Sequence, residues 1–242
     1  MALLTVWNNR GKFEMTADKG ICYIIGACDE FCDGFSISAS ENDLVIAADG
    51  GYDILKENNI KPDILLGDFD SIAEIPEHVK LIRHPVKKDD TDTFLAYKTA
   101  FSEGYRNFVI LGGVGGRIDH TAANIQTLLN IAKNRGRGFL IGKNSVMTTI
   151  FNSDIEFSEN HTGNVGVFAE GNDAYNVTIS GLKYEADNVT LKADTPMGVS
   201  NEFVGERAVI KVQNGALFIV WDEKLPDFIA DINDFCIKGS IG

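Results

Sequence analysis

Up to Ile141 the apolar residues fall in short solid runs, and each run ends in a polar or glycine-rich turn. Ile21-Cys22-Tyr23-Ile24-Ile25 ends in Gly26, and Leu44 to Ala48 ends in Asp49-Gly50-Gly51. Ile64-Leu65-Leu66 opens after Pro62-Asp63 and ends in Gly67-Asp68-Phe69-Asp70-Ser71; Asn107 to Leu111 ends in Gly112-Gly113-Val114-Gly115-Gly116. Lys80–Arg83 and Phe139–Ile141 are weaker runs of the same kind. Such runs predict strands buried on both faces. Between them the period changes to that of helices. A helix-like stretch runs from Gly51 to Asn58. Asp90 to Glu103 carries Phe94, Leu95, Ala100 and Phe101 on one face and stops at Gly104. Asp119 to Asn134 carries Ile125, Leu128, Leu129 and Ala132, with Gly136 beyond its end. Strand and helix in alternation predict an α/β unit, a mostly parallel sheet with helices on both faces. Met1 to Gly20 gives no periodic signal.

After about residue 150 the helical period disappears. Asn164–Ala169, Ala174–Ile179, Val189–Lys192, Ala208–Val212 and Leu217–Trp221 read as short strands. Gly171-Asn172-Asp173, Ser180-Gly181 and Asn214-Gly215 read as the turns between them. This predicts a C-terminal antiparallel β-sandwich or barrel, dividing the chain into 1–150 and 151–242.

The 242 residues carry 22 Lys and Arg against 35 Asp and Glu, a net charge of −13. That excess argues against nucleic acid and anionic membrane as partners. It leaves nucleotides open, because a few local cations, backbone N–H groups or a metal suffice for phosphate. No apolar run is long enough to span a bilayer, and the first twenty residues lack the pattern of a secretory signal. The cysteines, Cys22, Cys28, Cys32 and Cys236, fit no paired zinc spacing. They read as free thiols of a reduced cytoplasm.

Three polar clusters, Asp49, Asp68/Asp70 and Gly112–Asp119, directly follow strands, so a parallel sheet places them at one edge, where ligands of such sheets bind. Asp68-Phe69-Asp70 puts two carboxylates on one side of an extended chain. They suit a hard cation such as Mg²⁺ or, alternatively, a capping role. Lys88-Asp89-Asp90-Thr91-Asp92 opens a helix, where acids cap N–H groups and one of them reaches a metal. Gly112 to Gly116, followed by Arg117-Ile118-Asp119-His120, lets backbone approach phosphate ahead of a helix N-terminus. The loop lacks both the Walker Gly-Lys-Ser/Thr and the dinucleotide glycine pattern. His120 reads as a local hydrogen-bonding residue.

The ordered set of Ala48-Asp49-Gly50-Gly51, Pro62-Asp63 with Gly67-Asp68-Phe69-Asp70-Ser71, Lys88-Asp89-Asp90-Thr91-Asp92 and Gly116-Arg117-Ile118-Asp119-His120 resembles the thiamine pyrophosphokinase family of bacterial type. Gly181-Leu182-Lys183-Tyr184 and Ser200-Asn201-Glu202-Phe203 resemble that family's second domain. The resemblance implies transfer of pyrophosphate from ATP to the hydroxyethyl group of thiamine, giving thiamine diphosphate and AMP. It implies a cytoplasmic homodimer with sites shared between subunits. The α/β domain would bind ATP and Mg²⁺, and the β-rich domain would bind thiamine. It further implies Asp68, Asp70 and Asp92 as metal ligands. Lys88, Thr91, Gly113, Gly116 and Arg117 fall to ATP, and Ser200 and Asn201 to thiamine. Asp49 and Asp119 complete the catalytic set, and either would accept the hydroxyl proton. Tyr184 stands where an aromatic residue meets the cationic ligand, and Trp221 is assigned to the core or an interface. Two rivals remain: a metal-dependent nucleotide-sugar glycosyltransferase, and a non-catalytic thiamine- or nucleotide-binding regulator.

Overall fold

The structure, a computed structural model, describes residues 4–7, 13–16, 19–27, 37, 39–67, 79–83, 90–224, 228, 232 and 237–239. The parallel layer is built from β3 (Ile21–Ile25), β4 (Leu44–Ala48), β5 (Ile64–Gly67), β6 (Lys80–Arg83), β7 (Asn107–Leu111) and β8 (Arg137–Ile141). Their spatial order is β8-β7-β3-β4-β5-β6, and every neighbouring pair is parallel. Successive residues alternate between two cores, as the pleat requires. Cys22 and Ile24 face one side with Ile46, Leu66, Phe108 and Ile110. That side is covered by α2 (Asp92–Ser102) and α3 (Ile118–Lys133) through Tyr97, Ala100, Leu128 and Ile131. Tyr23, Ile25, Val45, Leu65 and Val109 face the other side, where α1 (Gly51–Glu57) contributes Ile54 and Leu55. The mostly parallel, doubly covered sheet is as the sequence predicts.

Two of the many carboxylates are structural. Asp43 Oδ1 accepts from the N–H of Ile21 at 2.7 Å, and Asp63 Oδ2 accepts from the N–H of Val45 at 2.8 Å, so each pins the start of a neighbouring strand. Free Cys22 lies buried in β3; Cys28, Cys32 and Cys236 fall outside the described residues.

The C-terminal region is antiparallel, as expected, but it is joined edge-on to the parallel layer. β9 (Ser145–Phe151) pairs antiparallel with β8, then β14 (Ala208–Asp222) with β9, β11 (Asn164–Ser180) with β14, and β12 (Ala186–Leu191) with β11. Among the described residues the ladder counts 13 strands and is open, ending on β12 and β6. The short runs predicted on either side of Gly171-Asn172-Asp173 and of Asn214-Gly215 are halves of single long strands. The two supposed turns lie opposite one another in the β11–β14 ladder, whose register shifts between Glu170 and Tyr175. The turn residues therefore make a bulge and bend instead of two hairpins. A matching corner separates β9 from β10 (Ser153–Phe157) at Asn152, which has φ +48°; its Oδ1 accepts from the N–H of Gly215 at 2.9 Å. β14 can thus pair with β10 along its first half and with β9 along its second. β13 (Asn201–Glu202) pairs with the start of β11, and β15 (Ile237–Gly239) with β10. β1 (Leu4–Trp7) and β2 (Phe13–Thr16) form a separate antiparallel hairpin, each strand too short to give a periodic signal. Trp221 is core, edge-on to Phe139 and Phe157.

Candidate functional site

The strand order reverses at β3: the chain steps through β4, β5 and β6 to one side and through β7 and β8 to the other. A crevice opens beyond the carboxyl ends at such a switch point. A cavity of about 400 Å³ lies there. Gly26 and Ala27 from the end of β3 line it, with Ala48 and Asp49 from the end of β4 and Gly112, Gly113, Gly115 and Gly116 after β7. Thr91, Asp92 and Thr93 at the start of α2 and Arg117, His120 and Asn124 at the start of α3 close the wall. Two helix N-termini thus open on one space. Their dipoles favour an anion there in spite of the acidic chain.

Local sequence sets the geometry. Asp49 takes φ +50°, a left-handed turn that aspartate tolerates, with its N–H bonded to the Leu66 carbonyl at 2.8 Å. Gly51 follows because a Cβ there would stand 2.0 Å from the carbonyl oxygen of Ile25. Only glycine lets α1 seat so close to β3 and swing Asp49 to the cavity. At α2 the cap is Thr91, whose Oγ1 accepts from the N–H of Phe94 at 3.2 Å. Of the neighbouring acids, Asp90 pairs with Lys98 at 2.5 Å instead of capping, Asp92, expected to reach a metal, lines the cavity, and Asp89 lies outside the described residues.

Arg117 and Asp119 hold each other. Nη2 donates to Oδ2 at 2.6 Å and Nε to Oδ1 at 3.2 Å. The bond from Arg117, helped by its charge and by the His120 N–H, keeps the Asp119 carboxyl below its ordinary range. The pair is exposed, so its exchange for a phosphate costs little. Asn124 is 4% exposed and donates from Nδ2 to the Gly113 carbonyl at 3.0 Å, fixing the loop from beneath.

The cavity therefore gathers Asp49, Thr91, Asp92, Gly113, Gly116 and Arg117 of the residues named from sequence, with Asp119 on Arg117 beside it. Asp68, Asp70 and Lys88 lie outside the described residues. Ser200 and Asn201 stand in the antiparallel region, away from this lining. Sequence reading missed Gly26, Ala27, Ala48, Thr93 and Asn124 and set His120 aside. The switch-point rule could have named Gly26 and Ala27. Asn124 was detectable as a polar side chain on the helix face that also carries Leu128 and Ile131. A cavity of about 490 Å³ lined by Asn144, His161, Asp222, Glu223 and Lys224 shares no residue with this one. Its carboxylates are tied, Asp222 to Asn164 and Glu223 to the Trp221 indole, and among the described residues no glycine-rich loop enters it. The smaller cavity is the candidate site.

Among the described residues no group of three or more acidic, histidine or cysteine side chains makes a metal site by itself. Asp49 and Asp92 nevertheless supply oxygen donors at one cavity beside a phosphate cradle. That donor chemistry fits a divalent cation shared between carboxylate and phosphate. No helix among the described residues is long and apolar enough to cross a membrane.

Comparison with known proteins bears on both halves. The family model for the thiamin pyrophosphokinase catalytic domain matches residues 35–140, and that for the thiamin pyrophosphokinase vitamin B1 binding domain matches residues 152–217. Thiamine pyrophosphokinase of Bacillus subtilis is 30% identical over 188 residues, covering 74% of this chain and 87% of that protein. Thiamin pyrophosphokinase 1 of Caenorhabditis elegans is 27% identical over 188 residues, covering 72% and 77%. The crystal structure of the Bacillus subtilis enzyme superimposes with a TM-score of 0.76 at 24% identity, over 85% of this chain and 99% of that one.

Proposed function

The chain belongs to the thiamine pyrophosphokinase family, and from that premise we propose how its residues carry out pyrophosphate transfer from ATP to thiamine. The observation that carries the reading is the switch-point cavity, where Asp49, Asp92, Arg117 and a glycine loop meet at two helix N-termini. The loop N–H groups and Arg117 hold the triphosphate with its β-phosphorus turned to the thiamine hydroxyl. That oxygen bonds to the β-phosphorus while the bond from this phosphorus to the α,β-bridging oxygen breaks. The bridging oxygen and its electron pair leave with AMP. Asp49, which lines the cavity while Asp119 does not, takes the hydroxyl proton. Asp92, with Asp68 and Asp70, would hold Mg²⁺, which supplies charge neutralisation along the triphosphate.

Residues 1–150 then act as the ATP half and 151–242 as the thiamine half, and we place the enzyme in the cytoplasm as a homodimer. Exposed apolar side chains on both halves support the dimer. Ile118, 76% exposed, stands beside Arg117 and Asp119, and Met197, 71% exposed, and Val199 stand beside Ser200. A second copy covering one with the other would bring the two halves together.

Incubation with ATP, Mg²⁺ and thiamine, followed by chromatography, should give AMP and thiamine diphosphate in equal amounts. A nucleotide-sugar glycosyltransferase or a regulator would give neither. For the shared site, Asp70→Asn and the double variant Ser200→Ala with Asn201→Ala should each be nearly inactive with limiting thiamine. Mixed under subunit exchange they should recover activity, because each mixed dimer keeps one site with both halves intact. No recovery despite exchange would put each site within one chain.

A further inference from the structure

Asn201 is 6% exposed, and the structure spends its amide on main chain. Nδ2 donates to the Tyr184 carbonyl at 2.7 Å; Oδ1 accepts from the Tyr184 N–H at 2.9 Å and from the Glu202 N–H at 3.0 Å. The same two segments are zipped on either side of this clamp. The Lys183 N–H bonds to the Glu202 carbonyl at 3.0 Å, Lys183 Nζ meets Glu202 Oε1 at 2.7 Å, and Leu182 bridges Phe203. Ser200, just before, is bent to φ +62°. What this fixed frame holds out is the ring of Tyr184, 60% exposed although its main chain is tied at both polar atoms.

We propose that Asn201 is a positioning residue that presents the Tyr184 ring to the aromatic, cationic thiamine and does not touch the substrate itself. The proposal rests on the Ser200–Asn201 segment being the thiamine end of the site, as inferred above. A tyrosine face attracts a heterocyclic cation, and the attraction depends on where the ring is held. Lys183, with its Nζ 5.6 Å from the ring centre, is neutralised by Glu202 and leaves that face usable.

The test uses the whole protein in four forms: wild type, Tyr184→Leu, Asn201→Ala and the two combined. Each single change should raise the thiamine KM about five- to tenfold and leave the ATP KM within about twofold. The combined form should be no worse than the worse single one, since both remove one ring placement. Multiplied effects would show Asn201 acting on thiamine by itself, and an unchanged KM in Asn201→Ala would show it not acting; either overturns the proposal. Asn201→Asp keeps the acceptor but loses the donor to the Tyr184 carbonyl, and should match Asn201→Ala. It carries the test if the alanine variant does not fold, and a wild-type KM in it overturns the proposal. Fluorotyrosine labelling gives a readout apart from activity. The ¹⁹F line that vanishes in Tyr184→Phe should shift and broaden in the Asn201 variants while the other tyrosine lines stay. An unmoved line overturns the clamp. Absence of thiamine diphosphate from the wild type would instead refute the functional reading while the fluorine line still reported on the clamp.

Discussion

Asp49 occupies a left-handed turn that asparagine adopts as readily as aspartate, so Asp49→Asn removes a charge with little cost to the backbone. As the proton acceptor, Asp49 predicts a fall in kcat on the order of 10²–10⁴ in that variant with nearly unchanged thiamine KM. Asp119→Asn frees Arg117 and should lower kcat far less. Steady-state kinetics on the two variants checks the assignment, and the opposite ranking would transfer the role to Asp119. At this scale much of the site was visible in sequence. Asp49, Gly113, Gly116 and Arg117 belong to turns that directly follow buried strands and so fall at one sheet edge, whereas Asp92 was named as a carboxylate at a helix start and Thr91 came only with the family resemblance. Asn124 was not named: its place on the apolar helix face marked it, but nothing local shows that its partner is the Gly113 carbonyl.

α1 and its seat on β3 depend on one missing side chain. Gly51→Ala drives a Cβ against the Ile25 carbonyl and should destabilise the protein by about 1–3 kcal/mol, with activity falling further as Asp49 moves off the cavity. Thermal melts with parallel assays check it; a wild-type Tm would mean that α1 seats otherwise. Among the elements lost to sequence reading, β9 has a definite cause. β9 is buried on both faces, and its Thr148 and Thr149 look exposed in sequence. They are satisfied internally, Thr148 on the Gly138 carbonyl at 2.7 Å and Thr149 on Glu170 Oε2 at 2.7 Å. Neither alternation nor a solid apolar run remained to signal a strand. Glu170, in β11, also carries an expected pH dependence of stability. Burial pushes its carboxyl above the ordinary range, against the opposing Thr149 bond and Lys133 charge. A raised folded value means stability present at low pH and lost as pH rises through it. Glu170→Gln removes the charge and keeps an acceptor. Its Tm advantage over wild type should be near zero around pH 4 and grow toward pH 8; an advantage that shrinks with rising pH would contradict this.

In the whole molecule the strand order reverses at β3, where the switch-point cavity opens, and the edge-on join through β9 makes one ladder of the parallel and antiparallel halves. The parallel half was legible because its strands and helices announce themselves by period. The antiparallel half was legible in kind but not in detail, because bends inside long strands use the same Gly, Asn and Asp residues as turns between short ones. The central claim is that both terminal phosphates of ATP pass together to thiamine at the switch-point cavity. The most direct measurement is to supply ATP carrying ³²P at the β-position with thiamine and Mg²⁺ and locate the label. The account predicts all transferred label in thiamine diphosphate and none in the AMP released with it. Label retained in ADP, with thiamine monophosphate as the other product, would mean attack on the γ-phosphorus and would contradict it.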